Sequence, residues 1–174
     1  NCIHPDEGGV LWLGTDQGLI RFDPLIKAAQ KIPVHESGQK WERKSLILCL
    51  LKDSSGNLWV GSENGLYRYS TESNEMVPWT EKADFYASLS GVRISALFED
   101  PFGTIWIGTT DNGIWTYLPG TQTLQHYTNA PEDPSSLSNN EIHSIYTDRT
   151  NILWIGTHLG ISKFDQTKKG FAHF

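Results

Sequence analysis

The sequence has little cysteine, little positive charge and no long apolar run. Its 174 residues include 14 Lys and Arg against 20 Asp and Glu, which gives a net charge of −6. Without a basic stripe, the chain is not expected to bind nucleic acid or an anionic membrane surface. No segment approaches the roughly 18 apolar residues of a membrane-spanning helix, and the first residues lack the regions of a signal peptide. We expect that this stretch neither exports nor anchors itself.

Tryptophan, in contrast, is abundant and regularly spaced. Trp12, Trp59, Trp106 and Trp154 stand 47, 47 and 48 residues apart, and a glycine follows each of them two residues later. A fixed period of about 20 to 50 residues indicates a solenoid, a propeller or an array, because one such unit cannot bury its apolar face alone. The chain is therefore one unit repeated four times.

An aspartate stands six residues before each of these tryptophans. The four are Asp6, Asp53, Asp100 and Asp148, followed three residues later by Gly9, Gly56, Gly103 or Asn151. Aspartate caps tight turns, and glycine or asparagine accepts a positive φ, so the spacing predicts a hairpin turn in every repeat. We interpret these aspartates as turn caps and not as a ring of calcium-binding or catalytic carboxylates, since every repeat needs the turn.

Turn signals at spacings of about 8 to 12 residues divide each repeat into four short strands. In the third repeat the strands are predicted at 93–99, 104–109, 113–118 and 123–127, and the other fourth strands at 30–34, 75–79 and 170–174. The second strand is continuously apolar, which indicates burial on both faces, and the third carries an aromatic ring for packing between sheets. The glycine after the tryptophan is expected to leave room for a large ring. These features predict an all-β fold, a β-propeller of four four-stranded antiparallel blades.

The predicted blades cover residues 1–34, 35–79, 80–127 and 128–174 of a single propeller segment. The polar linkers at 35–45, 80–92 and 128–141 are predicted to be loops on the same face as the loops between second and third strands. The register places Asn1 within a strand, and blades this short suit larger rings, so we expect an incomplete part of a larger propeller. Further blades or a second copy of the chain would cover its open apolar faces.

Cys2 and Cys49 occupy equivalent positions of the first two repeats. We expect both thiols to face inward, buried and free. Equivalent positions in successive sheets usually lie farther apart than the roughly 4.4 to 6.8 Å between Cα atoms that a disulfide accepts.

The repeated phrase Asp-x-x-Gly-x-Leu-Trp-Ile-Gly-Thr-x-x-Gly-Leu-x-Arg-Phe/Tyr resembles the two-component regulator propeller repeat, and the resemblance covers nearly the whole chain. The linker Pro134-Ser-Ser-Leu-Ser-Asn-Asn is similar to the linkers of that family. The departures are Ser62, Asn151, Thr116 and one extra residue around Thr110. In that family the propellers form the extracytoplasmic sensor region of hybrid two-component regulators, which are thought to detect products of polysaccharide breakdown. The resemblance implies a periplasmic, non-catalytic sensor that binds an oligosaccharide or another small molecule without a cofactor and signals to a kinase outside this chain.

The histidines give no predicted metal site. The six are His4, His35, His126, His143, His158 and His173, and they are scattered, with no pair at ligand spacing on one element. His143 is expected in a strand and therefore lacks the helical setting of a phosphoacceptor. No nucleophile elbow, phosphate loop or supported pair of carboxylates is present, so no catalytic residue is predicted.

Function is expected where the repeats differ. Trp79 and Trp115 leave the tryptophan register but are assigned to packing, whereas Trp41 lies in a linker beside charged residues. Aromatic rings stack on sugar faces, and cationic side chains can pair with a carboxylate or sulfate, although these rings could equally cover the blade ends. The predicted ligand-binding residues are Lys40, Trp41, Arg43, Asp84, Phe85 and Tyr86 of the linkers, with Glu63, Asn64, Asp111, Asn112 and His158 of the loops between second and third strands.

Two alternatives to a sensor stay open at this stage. The same face could dock another protein, which would make the chain an interaction or dimerisation scaffold. A propeller lyase would need histidine and acidic groups that converge near the axis, and the sequence offers only His158 with Glu63 or Asp111 for this.

Overall fold

The computed structural model describes residues 2–36, 39–41, 45–79, 88–165 and 170–174, with the backbone alone at 35–36, 39–41 and 165. These residues fall into two compact units, Asn1–Val92 and Arg93–Phe174, and each is nearly all β-strand. The all-β class is confirmed. The extent of a single propeller segment, and the blade boundaries within it, stay predictions.

The first unit contains two sheets of successive strands. The strands are β1 (Cys2–Pro5), β2 (Leu11–Thr15), β3 (Gly18–Asp23), β4 (Ala28–Ile32), β5 (Val34–Glu36), β6 (Gln39–Trp41), β7 (Ile47–Lys52), β8 (Leu58–Ser62), β9 (Gly65–Ser70) and β10 (Glu75–Pro78). One sheet has the order β1-β2-β3-β4 and the other β6-β5-β10-β9-β8-β7. Leu19 and Ile32 of the first sheet and Ile47 and Met76 of the second are fully buried in one shared core.

The second unit repeats this arrangement. Its strands are β11 (Ile94–Glu99), β12 (Ile105–Thr109), β13 (Ile114–Leu118), β14 (Thr123–Tyr127), β15 (Ile142–Thr147), β16 (Leu153–Thr157), β17 (Gly160–Asp165) and β18 (Gly170–His173). They form two four-stranded antiparallel sheets, β11-β12-β13-β14 and β15-β16-β17-β18. The strands predicted for the third repeat are confirmed to within one residue. Ile114, Ile142 and the linker residue Leu137 are fully buried between the sheets.

The linker predicted as a loop at 35–45 is instead partly a β-hairpin. Strand β4 ends at Ile32, two residues before the predicted end, because Pro33 has no N–H to continue the ladder with β3. The Pro33 carbonyl accepts the N–H of Met76 at 2.8 Å, so the chain passes directly to the outer edge of the next sheet. There β5 pairs in parallel with β10 and in antiparallel with β6, which makes this sheet six-stranded. The prediction that Trp41 lies in a loop is therefore wrong.

An aspartate–tryptophan hydrogen bond joins the first hairpin turn to the second strand in every repeat. The indole Nε1 of Trp59 donates to Asp53 Oδ2 at 2.8 Å. The other oxygen, Asp53 Oδ1, accepts the N–H groups of Ser55 and Asn57 at 3.0 and 2.8 Å. The indole bond recurs at 2.8, 2.9 and 2.8 Å in Asp6–Trp12, Asp100–Trp106 and Asp148–Trp154. The predicted turn-capping role is confirmed, and the same carboxylate also satisfies the indole.

Two carboxylates of this motif, those of Asp6 and Asp148, have lowered pKa values and are held in the charged form. Burial raises the pKa of Asp6, but hydrogen bonds from Lys52 and Trp12 outweigh it and bring that pKa to about 2. A hydrogen bond from Thr150, first among several, holds the pKa of Asp148 well below its ordinary value. Both carboxylates therefore stabilise the fold above the pKa of an unfolded aspartate and lose that contribution as the pH falls towards their folded pKa values.

The glycine two residues after the tryptophan accommodates an aliphatic side chain of the next sheet. A Cβ on Gly14 would lie 2.7 Å from Cγ2 of Ile47, and a Cβ on Gly108 would lie 2.6 Å from Cγ2 of Ile142. Both isoleucines begin the first strand of the following sheet. The expectation that this glycine makes room for a large ring is wrong, because it lets a β-branched side chain approach the backbone.

Cys2 and Cys49 are not joined by a disulfide, as predicted, and both residues are partly exposed. They lie on β1 and β7, which are edge strands among the described strands of their sheets. The prediction of a buried thiol is wrong for Cys2, whereas the Cys49 thiol is largely enclosed. The burial that remains is enough to raise the pKa of both thiols.

We expect Asp53→Ala to lower the free energy of unfolding by about 2–4 kcal/mol, because it removes the turn cap and leaves the buried indole of Trp59 without an acceptor. Asp53→Asn keeps an oxygen for the indole and should cost less. The matched control is Asp148→Ala, where Trp154 is partly exposed and water can replace the carboxylate. Guanidinium denaturation measures the three changes, and equal losses for the two alanine variants would contradict this account.

Candidate functional site

The loops between second and third strands are held by one hydroxyl group in each repeat. This hydroxyl donates to a glycine carbonyl at the far side of the loop, in the pairs Thr15–Gly18, Ser62–Gly65, Thr109–Gly113 and Thr157–Gly160 at 2.8, 3.0, 2.8 and 3.0 Å. It also accepts a backbone N–H from within the loop, that of Gln17, Asn64, Asn112 or Leu159. Ser62 replaces threonine without loss of either bond.

A backbone hydrogen bond joins three of these four loops to the residue before the first strand of the same repeat. The bonds are Glu63 N–H to Leu46 O, Thr110 N–H to Arg93 O and His158 N–H to Glu141 O, at 3.0, 3.1 and 3.1 Å. We use the term loop face for the end of each sheet that carries this bond. The first strand has a β-bulge next to this end, at Ile47/Cys49, Ile94/Ala96 and Ile142/Ser144. The backbone frame is thus constant, and the side chains mounted on it vary.

In the first unit the candidate residues Glu63 and Asn64 bond to their own repeat and linker. Glu63 Oε1 accepts the N–H of Leu46 at 3.2 Å. The Asn64 carbonyl accepts the N–H of Gly91 at 2.9 Å. Asn64 also lines a cavity of about 30 Å³ with Trp79, which is space for about one water molecule. Both residues hold the loop face together, and their ligand-binding role stays a prediction.

In the second unit the candidate loop Asp111–Asn112 is fixed from three sides. The Asn112 N–H donates to Thr109 Oγ1 at 2.9 Å, and the Asn112 carbonyl lies 2.7 Å from His126 Nε2. The N–H of the next residue, Gly113, donates to the Asn140 carbonyl at 3.0 Å. Asp111 itself is exposed. The loop therefore presents a carboxylate to solvent from a rigid backbone.

The two tryptophans assigned to packing do pack. Trp115 stacks on the ring of His126, with ring centroids 3.8 Å apart and an interplanar angle of 8°. Trp79 is buried and meets Trp59 edge to face at 5.3 Å. That prediction is confirmed, and it places an aromatic stack directly beside the loop Asp111–Asn112.

Three side chains with metal-binding chemistry meet on the loop face of the last sheet. His143 Nε2 lies 3.7 Å from Glu141 Oε1, and His158 Nδ1 lies 3.7 Å from Glu141 Oε2. The expectation that the histidines are scattered is therefore wrong for His143 and His158. The sequence held one signal, the two-residue separation of Glu141 and His143, but strand alternation does not pair them because His143 lies in the bulge of β15. His158 joins them through its backbone bond to Glu141.

Four of the other predicted site residues lie outside the described residues, and two are described by their backbone alone. Arg43, Asp84, Phe85 and Tyr86 lie outside the described residues. The backbone of Lys40 and Trp41 belongs to β6, where Trp41 pairs with Val34, and their side chains lie outside the description. Their ligand-binding role stays a prediction.

A larger cavity, of about 160 Å³, lies at the opposite end of the second unit, beside the hairpin turn of Asp100. Trp106, Tyr127 and Phe164 line it, and the Tyr127 hydroxyl donates to Gln125 Oε1 at 2.7 Å. Burial raises the pKa of Tyr127, so this hydroxyl stays neutral. The aspartate of the first hairpin turn at this end recurs in every repeat, and the described candidate residues of the loops between second and third strands lie at the other end.

The stacked sheets of repeated antiparallel strands define a β-propeller protein, and comparison with solved structures confirms the class. The extracellular domain of a protein from Bacteroides thetaiotaomicron, BT4673, described as a hybrid two-component system, is 27% identical over 92% of this chain, with a TM-score of 0.74. A second such domain from that organism, BT3049, is 25% identical over 93% of the chain, with a TM-score of 0.72. The chain spans about one fifth of each domain, 20% and 19% respectively.

Segments of three of the four repeats match a family model. The family described as two component regulator propeller matches residues 43–64, 88–111 and 136–158. These are the segments that carry the linker end, the first strand, the aspartate turn and the tryptophan strand. The second, third and fourth repeats are therefore similar to two-component regulator propeller repeats. Comparison with the curated proteins gives no match.

Virginiamycin B lyase from Staphylococcus aureus has the same fold. It is 15% identical over 99% of this chain and 54% of its own, with a TM-score of 0.66. At that identity the likeness extends to the fold alone.

Among the described residues, no helix is long and apolar enough to cross a membrane.

We expect Thr109→Val to loosen the loop Asp111–Asn112 while keeping the shape of the buried side chain. The loss of one donated and one accepted hydrogen bond should cost about 1–2 kcal/mol of stability, and the Asn112 amide should exchange faster with solvent. Thr109→Ser keeps the hydroxyl and serves as the control, as Ser62 does in the second repeat. Hydrogen exchange measured by NMR tests this, and unchanged protection of the Asn112 amide in Thr109→Val would contradict it.

Proposed function

We propose that this chain is part of the periplasmic sensor region of a hybrid two-component regulator and that it has no catalytic activity of its own. The observation that carries the proposal is the match of 92–93% of the chain to extracellular domains described as hybrid two-component systems, at 25–27% identity. Three of the four repeats are similar to the regulator propeller family. The kinase that would receive the signal lies outside these 174 residues.

The ligand is a small molecule rich in hydroxyl groups, with an oligosaccharide as the class we favour. The loop face of the second unit combines the exposed carboxylate of Asp111, the side chain of Asn112 and the stacked rings of Trp115 and His126. Carboxylates and amides accept hydrogen bonds from sugar hydroxyls, and aromatic rings pack on sugar C–H faces. The rigid loop favours binding because little conformational freedom is lost.

Signalling follows if the ligand binds one arrangement of the sensor better than another. The ligand can shift that equilibrium only by its difference in affinity for the two states. The loop face suits this role because its side chains differ among repeats, whereas the turn aspartate at the opposite end recurs in every repeat. A ligand there contacts side chains that the fold does not require.

Calorimetric titration of the chain with a panel of oligosaccharides tests this proposal. We expect one or more to bind, and Asp111→Ala to weaken that binding at least about tenfold, the equivalent of a hydrogen bond to a charged group. Glu72→Gln, in the exposed turn between β9 and β10, is the matched control and should leave the affinity unchanged.

Three results would contradict parts of the proposal. Binding that Asp111→Ala leaves intact would remove the site from this loop. The absence of any binding oligosaccharide would remove the ligand class, and cleavage or elimination products in the titrated samples would favour the lyase.

The exposed face of the last sheet supports a further blade as the partner of this chain. Tyr146, Ile161 and Phe174 are 61%, 46% and 74% exposed, and Trp154 on the same face is only partly buried. Its counterpart Trp106 is 3% exposed.

Two tryptophans at the equivalent position are each covered by an aromatic ring of the next sheet. Trp12 is covered by Tyr69 of the next sheet at 4.7 Å, and Trp106 by Phe164 of the next sheet at 4.9 Å. We propose that the third strand of another blade of the same repeat covers Trp154 in the same way. A second copy of the chain could supply that blade as well as the parent protein.

A cysteine-labelling experiment tests this partner. Ile161→Cys should react rapidly with a maleimide in the isolated chain at low concentration and be protected at least about tenfold when the parent protein covers the face. Leu25→Cys, which replaces a residue 82% exposed in the β3–β4 turn, should react equally in both. Protection that appears in the isolated chain at high concentration indicates a second copy. Equal reactivity of Ile161→Cys under all conditions would overturn the proposal.

A further inference from the structure

We propose that Glu141, His143 and His158 form a binding site for a divalent transition-metal ion, with zinc as the expected ion. The site lies on the loop face of the last sheet. It goes beyond the sensor function, and neither the sequence nor the fold implies it.

The three ligand atoms are already close to the spacing of a metal site. One atom from each residue lies within 4.8 Å of the other two, and both carboxylate–imidazole distances are 3.7 Å. Bond lengths of about 2.0–2.2 Å place tetrahedral ligands roughly 3.3–3.6 Å apart. The side chains of Glu141, His143 and His158 are 42%, 54% and 63% exposed, so small rotations can bring them to these distances.

The backbone around the three residues is fixed, which limits the cost of assembling the site. The His158 N–H donates to the Glu141 carbonyl at 3.1 Å, and the Glu141 N–H donates to Asn139 Oδ1 at 2.8 Å. His143 occupies the β-bulge of β15 between Ile142 and Ser144. A bulge re-aims its side chain away from the ladder, here towards Glu141.

The combination of one glutamate and two histidines occurs in one of the three repeats that share this backbone bond and bulge. The residues at these three positions are Leu46, Leu48 and Glu63 in the second repeat and Arg93, Ser95 and Thr110 in the third. The frame therefore does not need histidine or glutamate to form. The side chains of Glu141, His143 and His158 make no hydrogen bond to another group in the described part of the chain. Their mutual distances of 3.7 Å are also too long for a hydrogen bond. Packing does not explain these three residue types.

Two imidazoles and one carboxylate determine which ion the site prefers. Imidazole suits zinc, copper and nickel, whereas magnesium and calcium prefer oxygen ligands alone. Three protein ligands leave at least one coordination position open to water or to an oxygen atom of a bound molecule. The exposure of all three side chains keeps that position accessible from solvent.

Calorimetric titration of the tag-free, metal-free 174-residue chain with zinc chloride tests the proposal. We expect one zinc ion per chain, with no comparable binding of magnesium or calcium, and a cobalt(II) absorption spectrum typical of four- or five-coordination. Loss of a mere outer-shell group weakens metal binding about 10- to 100-fold, so loss of a direct ligand should weaken it at least about tenfold.

The variants follow the third repeat, so that the frame is preserved. His143→Ser and His158→Thr introduce the residues found at these positions in that repeat, and Glu141→Gln removes the charge alone. His4→Gln, in β1 of the first unit, is the matched histidine control and should leave zinc binding unchanged. Circular dichroism establishes that each variant is folded.

Two outcomes would overturn this proposal. One is no zinc binding below millimolar concentration, and the other is zinc binding that all three substitutions leave within about twofold of the starting affinity. The assay uses the metal alone, so its failure would leave the oligosaccharide proposal standing, and failure of the oligosaccharide titration would leave this one standing.

Discussion

The repeat depends on one carboxylate that serves two elements at once. In each repeat, one oxygen of the aspartate accepts the indole N–H of the tryptophan six residues later. In the repeats of Asp53, Asp100 and Asp148, the other oxygen accepts two N–H groups of the turn. The tryptophan can be buried only because its N–H has this acceptor, since an unpaired buried donor costs about 1–3 kcal/mol. The turn, in return, is fixed by the buried ring. This explains why aspartate and tryptophan recur together at a constant spacing.

The same constraint separates the two ends of the sheets. At the turn end, the carboxylate fixes both the turn backbone and the tryptophan side chain, and every repeat keeps the aspartate and the tryptophan. At the loop face, a threonine or serine hydroxyl and one backbone bond fix only the main chain. The side chains at the loop face are therefore free to differ, as Glu63, Thr110 and His158 do at one equivalent position. This division lets the side chains of the loop face vary without altering the core.

The sequence predicted the elements better than the contacts between them. Turn residues and strand periodicity are local, and so the third repeat was placed to within one residue. The neighbour of Gly108 is Ile142, 34 residues away, and no local pattern identifies it. The hairpin β5–β6 was missed because Pro33 ends β4 while its carbonyl begins the pairing with the next sheet. The cluster around Glu141 was missed because His158 reaches it through a backbone bond between two strands.

The position of that cluster links the two proposals for the loop face. Glu141 follows Asn140, whose carbonyl accepts the N–H of Gly113 and so ties the loop Asp111–Asn112 to the start of β15. The histidine cluster and the Asp111 loop therefore lie on neighbouring sheets of the second unit that this backbone bond joins. A metal ion there would offset the negative charge of Glu141 and present an open coordination position next to hydrogen-bonding groups. Hydroxyl or carboxylate oxygens of a ligand are suited to such a position, so metal binding and ligand binding on this face would be thermodynamically coupled.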